Sequence, residues 1–329
     1  MYDVVAIGEL LIDFAPSGTT AEETALFERN PGGAPGNVLA ILAKLGKKTA
    51  LVSKVGQDQF GEFLISVMKD IGIETRSILS TKEANTTIAF VHLDSNGDRS
   101  FSFYRKPGAD MLLSEEEVDS SLVCDTRIFH FGSVSMTCEP SRGATLHAVK
   151  IAREKGITIS FDPNLRPQLW NDLKEAKQII EVGLKYTDIL KVSEEELEFI
   201  TGLDDLEAGS EYILKKYGIK MILVTLGAKG CFYRAGIQTG SLPTYNVKTV
   251  DTTGAGDAFL GAFLYKVIEN KKPFMNLSRA EVEQMIDFAN AAGSITTTKK
   301  GAIPAMPIVE EIERCMKSVN KHKTDYSLS

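Results

Sequence analysis

The stretch Ala152-Arg153-Glu154-Lys155-Gly156-Ile157-Thr158-Ile159-Ser160-Phe161-Asp162-Pro163-Asn164-Leu165-Arg166 carries the chain's architecture in miniature. A helical pattern over 141–155 stops at Gly156, the position where a left-handed cap suits a residue without Cβ. A run of strand-forming residues follows at 158–161, and polar groups cluster just past its carboxyl end. The same order extends outward in both directions. Strand patterns at 3–7, 49–55, 128–131, 189–192 and 221–225 alternate with helical patterns at 36–45, 59–71, 173–186, 194–201 and 206–217. Gly46, Gly72 and Gly218 close their helices as Gly156 does. Such alternation predicts an α/β fold with a mainly parallel central sheet flanked by helices. Ligands of open α/β sheets bind beyond the carboxyl ends of the strands.

One region breaks the rhythm. Residues 86–93 and 99–104 read as alternating strands joined around Asn96-Gly97, a hairpin signal, and 10–14 and 26–29 are further short strands. We read these pieces as a small protruding β-sheet from about 10–30 and 86–110, a lid or a dimer surface. The competing reading is an antiparallel edge on the main sheet. Residues 1–329 then form a single α/β domain, with a frayed polar tail after Lys317. A strand into a turn is also expected at 247–250, ahead of an almost wholly apolar helix at 258–268.

Composition narrows the function. A net charge of −7 argues against a broad nucleic-acid or anionic-membrane surface. It leaves room for one local anion site at a helix N-terminus. Cys124, Cys138, Cys231 and Cys315 make no C-x-x-C pair, so no zinc ribbon or redox motif is expected. The chain opens on the strand pattern Val4-Val5-Ala6-Ile7 and shows neither a signal peptide nor a membrane-spanning apolar run, so a cytoplasmic protein is expected.

The most informative segment for chemistry is Val250-Asp251-Thr252-Thr253-Gly254-Ala255-Gly256-Asp257-Ala258-Phe259. Gly254, Ala255 and Gly256 stand where backbone N–H groups lack an intrahelical partner and where the helix dipole favours an anion. Asp257, in the first turn, is placed either to accept a proton from an attacking hydroxyl or simply to stabilise the helix terminus. Pro31-Gly32-Gly33-Ala34-Pro35-Gly36-Asn37 permits a close backbone approach, and Asn37 offers a donor and an acceptor to a polyol; the plain alternative is a turn and cap. An Asx-Pro turn accounts for Asp162 and Asn164 but leaves Arg166 free to steady a phosphate. In Lys191-Val192-Ser193-Glu194-Glu195-Glu196, Ser193 and Glu196 fit a capping box, and a carboxylate there suits hydrated Mg²⁺ equally well. Thr225-Leu226-Gly227-Ala228-Lys229-Gly230 and the small-residue helix around Asn290 are either an adenine slot or ordinary turn and packing. No P-loop, protein-kinase signature, G-x-S-x-G elbow or histidine cluster is present.

Together these segments resemble the ribokinase-like carbohydrate kinases, the PfkB family, from Ile7-Gly8-Glu9 to Gly301. Gly32-Gly33 with Asn37 and Leu45-Gly46 is similar to the family's first signature, and the segment 251–257 to its second. Phe103-Tyr104-Arg105-Lys106-Pro107-Gly108-Ala109-Asp110 and the segment 161–166 are similar to fructokinases. The resemblance implies a ribokinase-like fold with a lid and transfer of the ATP γ-phosphoryl to a sugar hydroxyl. It makes Asp257 the base, with Gly254, Ala255 and Gly256 as anion hole and Arg166 near the phosphoryl group. Asp13, Gly32, Gly33 and Asn37 would hold the sugar, with Arg105 reaching in from the lid. Lys191, Thr225, Gly227, Gly230, Gly256 and Asn290 would serve the nucleotide. Glu196 would act on Mg²⁺ through water; Ser193 stands where the family's N-x-x-E motif has asparagine. Asp251 and Thr253, with carbonyls near Lys299 and Gly301, would offer a K⁺ site. Partners would be a small-molecule sugar, ATP and a second copy of the chain through the lid sheet. Rival readings are a 2-keto-3-deoxygluconate kinase, whose arginines would meet a carboxylate, another sugar or nucleoside kinase of the family, and a catalytically silent regulatory relative.

Overall fold

The computed structural model describes residues 1–93, 99–270, 272 and 276–323. Its strands are β1 (Tyr2–Ile7), β2 (Leu11–Thr19), β3 (Ala25–Gly32), β4 (Thr49–Gly56), β5 (Ile73–Glu74), β6 (Ile78–Thr81), β7 (Ile88–Leu93), β8 (Arg99–Tyr104), β9 (Thr126–Gly132), β10 (Thr158–Asp162), β11 (Ile189–Ser193), β12 (Met221–Thr225), β13 (Cys231–Ala235) and β14 (Gln238–Leu242). Its helices are α1 (Ala34–Lys44), α2 (Gln59–Asp70), α3 (Ser120–Cys124), α4 (Ser141–Glu154), α5 (Leu173–Leu184), α6 (Glu194–Thr201), α7 (Leu206–Tyr217), α8 (Ala255–Glu269), α9 (Arg279–Thr296) and α10 (Val309–Ser318).

Among the described residues the main sheet runs β14-β13-β12-β11-β10-β9-β1-β4-β5, with β6 also on β4. From β12 through β4 every pairing is parallel. Strands buried on both faces need apolar residues at successive positions. Val4, Val5, Ala6 and Ile7 of β1 are all fully buried. Because neighbours on a strand point to opposite faces, Val4 and Ala6 join α1, α8 and α9 in one core, whereas Val5 and Ile7 join α4, α5 and α7 in the other. These two apolar layers fix the sheet, and the sheet fixes where its carboxyl ends open.

A second sheet, β3-β2-β7-β8, stands apart from the first. This agrees with the expected protruding sheet and not with an edge on the main one. The Asn96-Gly97 turn lies outside the described residues. The main sheet has an antiparallel edge of its own, the hairpin β13–β14, which sequence reading did not anticipate.

Two expectations are corrected. Residues 247–250 do not form a strand, because the backbone N–H groups of Val250 and Asp251 both donate to the Thr297 carbonyl at the end of α9. The described part of the tail is not frayed. Asn246 N–H donates to Asn320 O (2.8 Å), His322 N–H donates to Thr244 O (2.9 Å), and Tyr245 bridges Lys321.

Candidate active site

Asp251 builds the turn ahead of α8. Its carboxylate accepts from the Thr253 N–H (2.7 Å) and from the Gly301 N–H (2.9 Å), tying two loops together. Gly254 takes φ +74°, and a Cβ there would come within 2.6 Å of the Ala302 methyl. A left-handed turn in so tight a space requires glycine. Ala255 donates its N–H to Thr252 O (3.2 Å). Gly256 and Asp257 therefore present the first-turn amides for which an α-helix supplies no carbonyl.

The Asp257 carboxylate is buried and accepts a hydrogen bond from Asn37 Nδ2 at 2.8 Å. Burial raises its pKa to about 6 and the Asp162 charge adds to the rise; the Asn37 hydrogen bond, Lys191 and Arg166 oppose it. Asn37 comes from the first turn of α1, so the two glycine-rich segments meet across the core through this one bond. The Asn37 Oδ1 atom is buried without a protein partner.

Lys191 and Asp162 lie on the adjacent parallel strands β11 and β10, and their side chains form a buried ion pair at 3.0 Å. Burial disfavours the ammonium charge, but Asp162, Glu196 and Asp257 together hold its pKa above the usual lysine value. A Cβ on Gly256 would sit 3.0 Å from Lys191 Nζ. The bare backbone there lets an ammonium group and a helix N-terminus converge, two positive poles suited to one anion.

Two cavities open at this point. The first is lined by Glu9, Leu11, Asp13, Gly33, Asn37, Phe101, Phe103, Arg166, Lys191 and Asp257, among others. Asp13 stands on β2 of the small sheet. Burial raises its pKa to about 7; Arg166 opposes the shift, and the Asp257 and Asp251 charges add to it. Gly32 leaves the room Asp13 needs, since a Cβ would fall 2.2 Å from Asp13 Oδ2. Gly33, at φ +111°, lines the wall where a Cβ would strike the Glu9 carbonyl. Arg166 also faces this cavity, with its guanidinium 5.8 Å from the Phe101 ring centroid.

The second cavity is lined by Thr225, Gly227, Ala228, Gly230, Thr244, Tyr245, Val247, Phe259, Asn290, Ser294 and His322, with Thr252 and Gly256 shared between the two. Asn290 is committed in part. Its Nδ2 lies 3.3 and 3.4 Å from the carbonyls of Leu242 and Pro243, so it holds the loop that carries Thr244.

Two expected residues stand elsewhere. Arg105 does not line the first cavity. Its guanidinium is buried and donates to Asp110 (2.8 Å), Thr137 Oγ1 (2.8 Å) and Val134 O (3.1 Å), so it braces a wall residue instead of entering the pocket. Lys191 does not line the second cavity, because its ion pair turns it toward the first. Glu196 is half-buried, and each of its oxygens accepts a backbone N–H, from Leu165 (2.7 Å) and from Ser193 (2.8 Å). It borders a third opening with Asn164, Arg166, Lys191, Ser193 and Glu195. Lys299 points outward to Glu311.

Sequence reading missed Glu9, Phe101, Phe103, Thr252 and the Lys191–Asp162 pair. Glu9 accepts from the Ala34 N–H through Oε1, while Oε2 is buried without a protein partner; burial lifts its pKa to about 7.

The model of the pfkB family carbohydrate kinases matches residues 1–309. The chain belongs to the pfkB family of carbohydrate kinases. A fructokinase-1 of Oryza sativa subsp. japonica is 44% identical over 317 residues, which cover 96% of this chain and 98% of that protein. The ATP-bound fructokinase of Xylella fastidiosa superposes with a TM-score of 0.88 at 32% identity, covering 96% of this chain and 99% of the other. A double mutant of the Vibrio cholerae O395 fructokinase, in its fructose-, ADP- and potassium-bound form, gives 0.86 at 31% identity over 96% and 98%. This pfkB kinase is an ATP-dependent sugar kinase with the ribokinase-like fold.

Proposed function

We propose that this kinase phosphorylates fructose and that Asp257 takes the proton of the attacking hydroxyl. The observation that carries the reading is the meeting of the two cavities at Gly256, with Asp257 beside it on the first-cavity side. We assign the first cavity to the sugar and the second to the nucleotide. Asp13, Gly33 and Asn37 then offer the polar edge a polyol needs, and Asn37 Oδ1 is an acceptor awaiting a hydroxyl. Phosphoryl transfer depends mainly on positioning and charge stabilisation. An aspartate with a pKa near 6 is mostly ionised at neutral pH, yet a better base than an ordinary carboxylate. The Gly256 and Asp257 amides, Lys191 and Arg166 surround the place where charge develops. The contributions of Gly254 and Ala255 are to the turn itself.

The small sheet serves as the lid. One of its faces gives Asp13, Phe101 and Phe103 to the sugar cavity. The other carries Phe14, Phe27, Phe90 and Tyr104 in mutual ring contact, and Tyr104 is 67% exposed. That aromatic face supports dimerisation through the lid. The free cysteines support a reducing, cytoplasmic setting.

Among the described residues no group of three or more His, Cys, Asp or Glu side chains is gathered to ligate a metal directly. Glu196, with both oxygens on backbone N–H groups, suits a hydrated Mg²⁺ held through water. When bound, Mg²⁺ would offset phosphate charge at that opening. The proposed K⁺ site rests on oxygens of Asp251 and Thr253 and carbonyls near Lys299 and Gly301, around the Asp251 carboxylate that accepts from the Thr253 and Gly301 N–H groups. A potassium-bound relative supports K⁺ as the ion to test there.

A 2-keto-3-deoxygluconate substrate is disfavoured, since Arg105 is spent on Asp110 and leaves Arg166 as the one arginine lining the cavity among the described residues. The test is a coupled ADP-release assay with fructose, ribose, adenosine and 2-keto-3-deoxygluconate. Fructose should give the highest kcat/KM. Preference for another acceptor would overturn the substrate, and no ADP with any of them would overturn the catalytic reading.

A further inference from the structure

The family match ends at residue 309, yet the chain continues through α10 and returns to the second cavity. The return is built, not draped. Besides the two backbone hydrogen bonds at Asn320 and His322, Lys321 pairs with Asp287 at 2.7 Å and lies over the Tyr245 ring at 5.3 Å. Tyr245 is itself buried and donates its hydroxyl to Asp287 at 3.0 Å. Neighbouring side chains of an extended segment point in opposite directions. With Lys321 committed to Asp287, the partly buried His322 faces the cavity and lines it.

We propose that residues 319–323 form an outer wall of the nucleotide cavity and that the His322 imidazole contacts the purine ring of the nucleoside triphosphate. The inference rests on the assignment of the second cavity to the nucleotide. The phosphate end of that cavity is fixed by Thr252 and Gly256, the residues shared with the sugar cavity. His322 is tied instead to Thr244, whose hydroxyl meets Ser294 Oγ at 2.6 Å; neither residue is shared. The base, at the far end of an in-line donor from the transferred phosphoryl, belongs on that unshared side. Asn290 has its Nδ2 turned to the Leu242 and Pro243 carbonyls, so its amide donors face the loop. An imidazole brings hydrogen-bonding ring nitrogens and an aromatic face to a purine.

The experiment is steady-state kinetics of the full chain at saturating fructose, with ATP and GTP varied, for His322→Ala and for a chain ending at Ser318. Ala228→Trp, on a wall formed by a different loop, serves as the control. His322→Ala is expected to raise the KM for ATP about fivefold, the scale of one net hydrogen bond. The ATP-over-GTP preference should narrow, while kcat and the KM for fructose stay within about twofold. The truncated chain, where it folds, should match or exceed that effect; where it does not, His322→Ala decides alone. An unchanged KM for ATP in His322→Ala, with Ala228→Trp raising it, would overturn the role of His322 and leave the cavity assignment standing. An unchanged KM in both variants would overturn the assignment itself. A fall in kcat without a change in KM would also reject the proposal, since a base contact acts on binding.

Discussion

The two cavities meet at Thr252 and Gly256 and share almost no other chemistry. The first cavity gathers Glu9, Asp13, Asp257, Lys191 and Arg166 in a space walled by Phe101 and Phe103. The second cavity is walled by small residues, hydroxyls and the rings of Tyr245 and Phe259, with the His322 imidazole at its outer wall. Burying many charges is costly unless they pair. The cost is offset locally, by the Lys191–Asp162 pair and the Asn37 hydrogen bond, and the remainder appears as raised carboxylate pKa values. On the proposed assignment, one side acts on a proton and a transferring charge, and the other holds a flat ligand with little electrostatic expense.

Breaking the charged side should cost far more than trimming the other. Lys191→Met removes the ammonium that approaches Gly256 and should lower kcat by about 10²-fold, the scale of one lost preorganised donor. It should also lower the melting temperature, because Asp162 is left buried without its partner. A variant with normal kcat and a lowered melting temperature would show that the ion pair is only a brace.

The pH profile sharpens the contrast with a smaller effect. Asp257, raised to about 6, and Asp13, raised to about 7, both gain protons as the pH falls. The kcat/KM for fructose should accordingly drop as pH falls from neutrality through about 6, with an upper step that Asp13→Asn removes. In a His322→Ala background, which removes the imidazole from the second cavity, the KM for ATP should change much less over the same range, since that cavity presents no carboxylate among its described lining residues. Equal pH sensitivity of both substrates would erase the distinction between the cavities.

What the sequence revealed follows the same division. Asp257 and the glycine turn were legible because the motif is local: Gly254, Gly256 and Asp257 fall within one helix start. The Lys191–Asp162 pair was not, because those residues meet only through the pairing of β10 with β11. Arg105 was misassigned for a related reason. Its partners Thr137 and Val134 arrive from the loop after β9, which no local pattern announces. The missing strand at 247–250 failed because its amides are claimed by the end of α9. By contrast, the β13–β14 hairpin left a readable mark: Gly236-Ile237 between the paired Ala235 and Gln238 is a two-residue loop with Gly236 at φ +58°. His322 carried no motif at all; its place depends on the whole path of α10.

The most direct test of the account is Asp257→Asn, a change of one heavy atom at the point where the cavities join. Fructose and ATP binding, measured by calorimetry, should stay within about threefold of the unaltered chain, because the side chain keeps its shape and its place beside Asn37. Turnover should fall by about 10³-fold, in keeping with the 10²–10⁴-fold contribution of a general base. Turnover within a few-fold of normal, with binding intact, would contradict the central claim and return Asp257 to the role of a helix-terminal carboxylate.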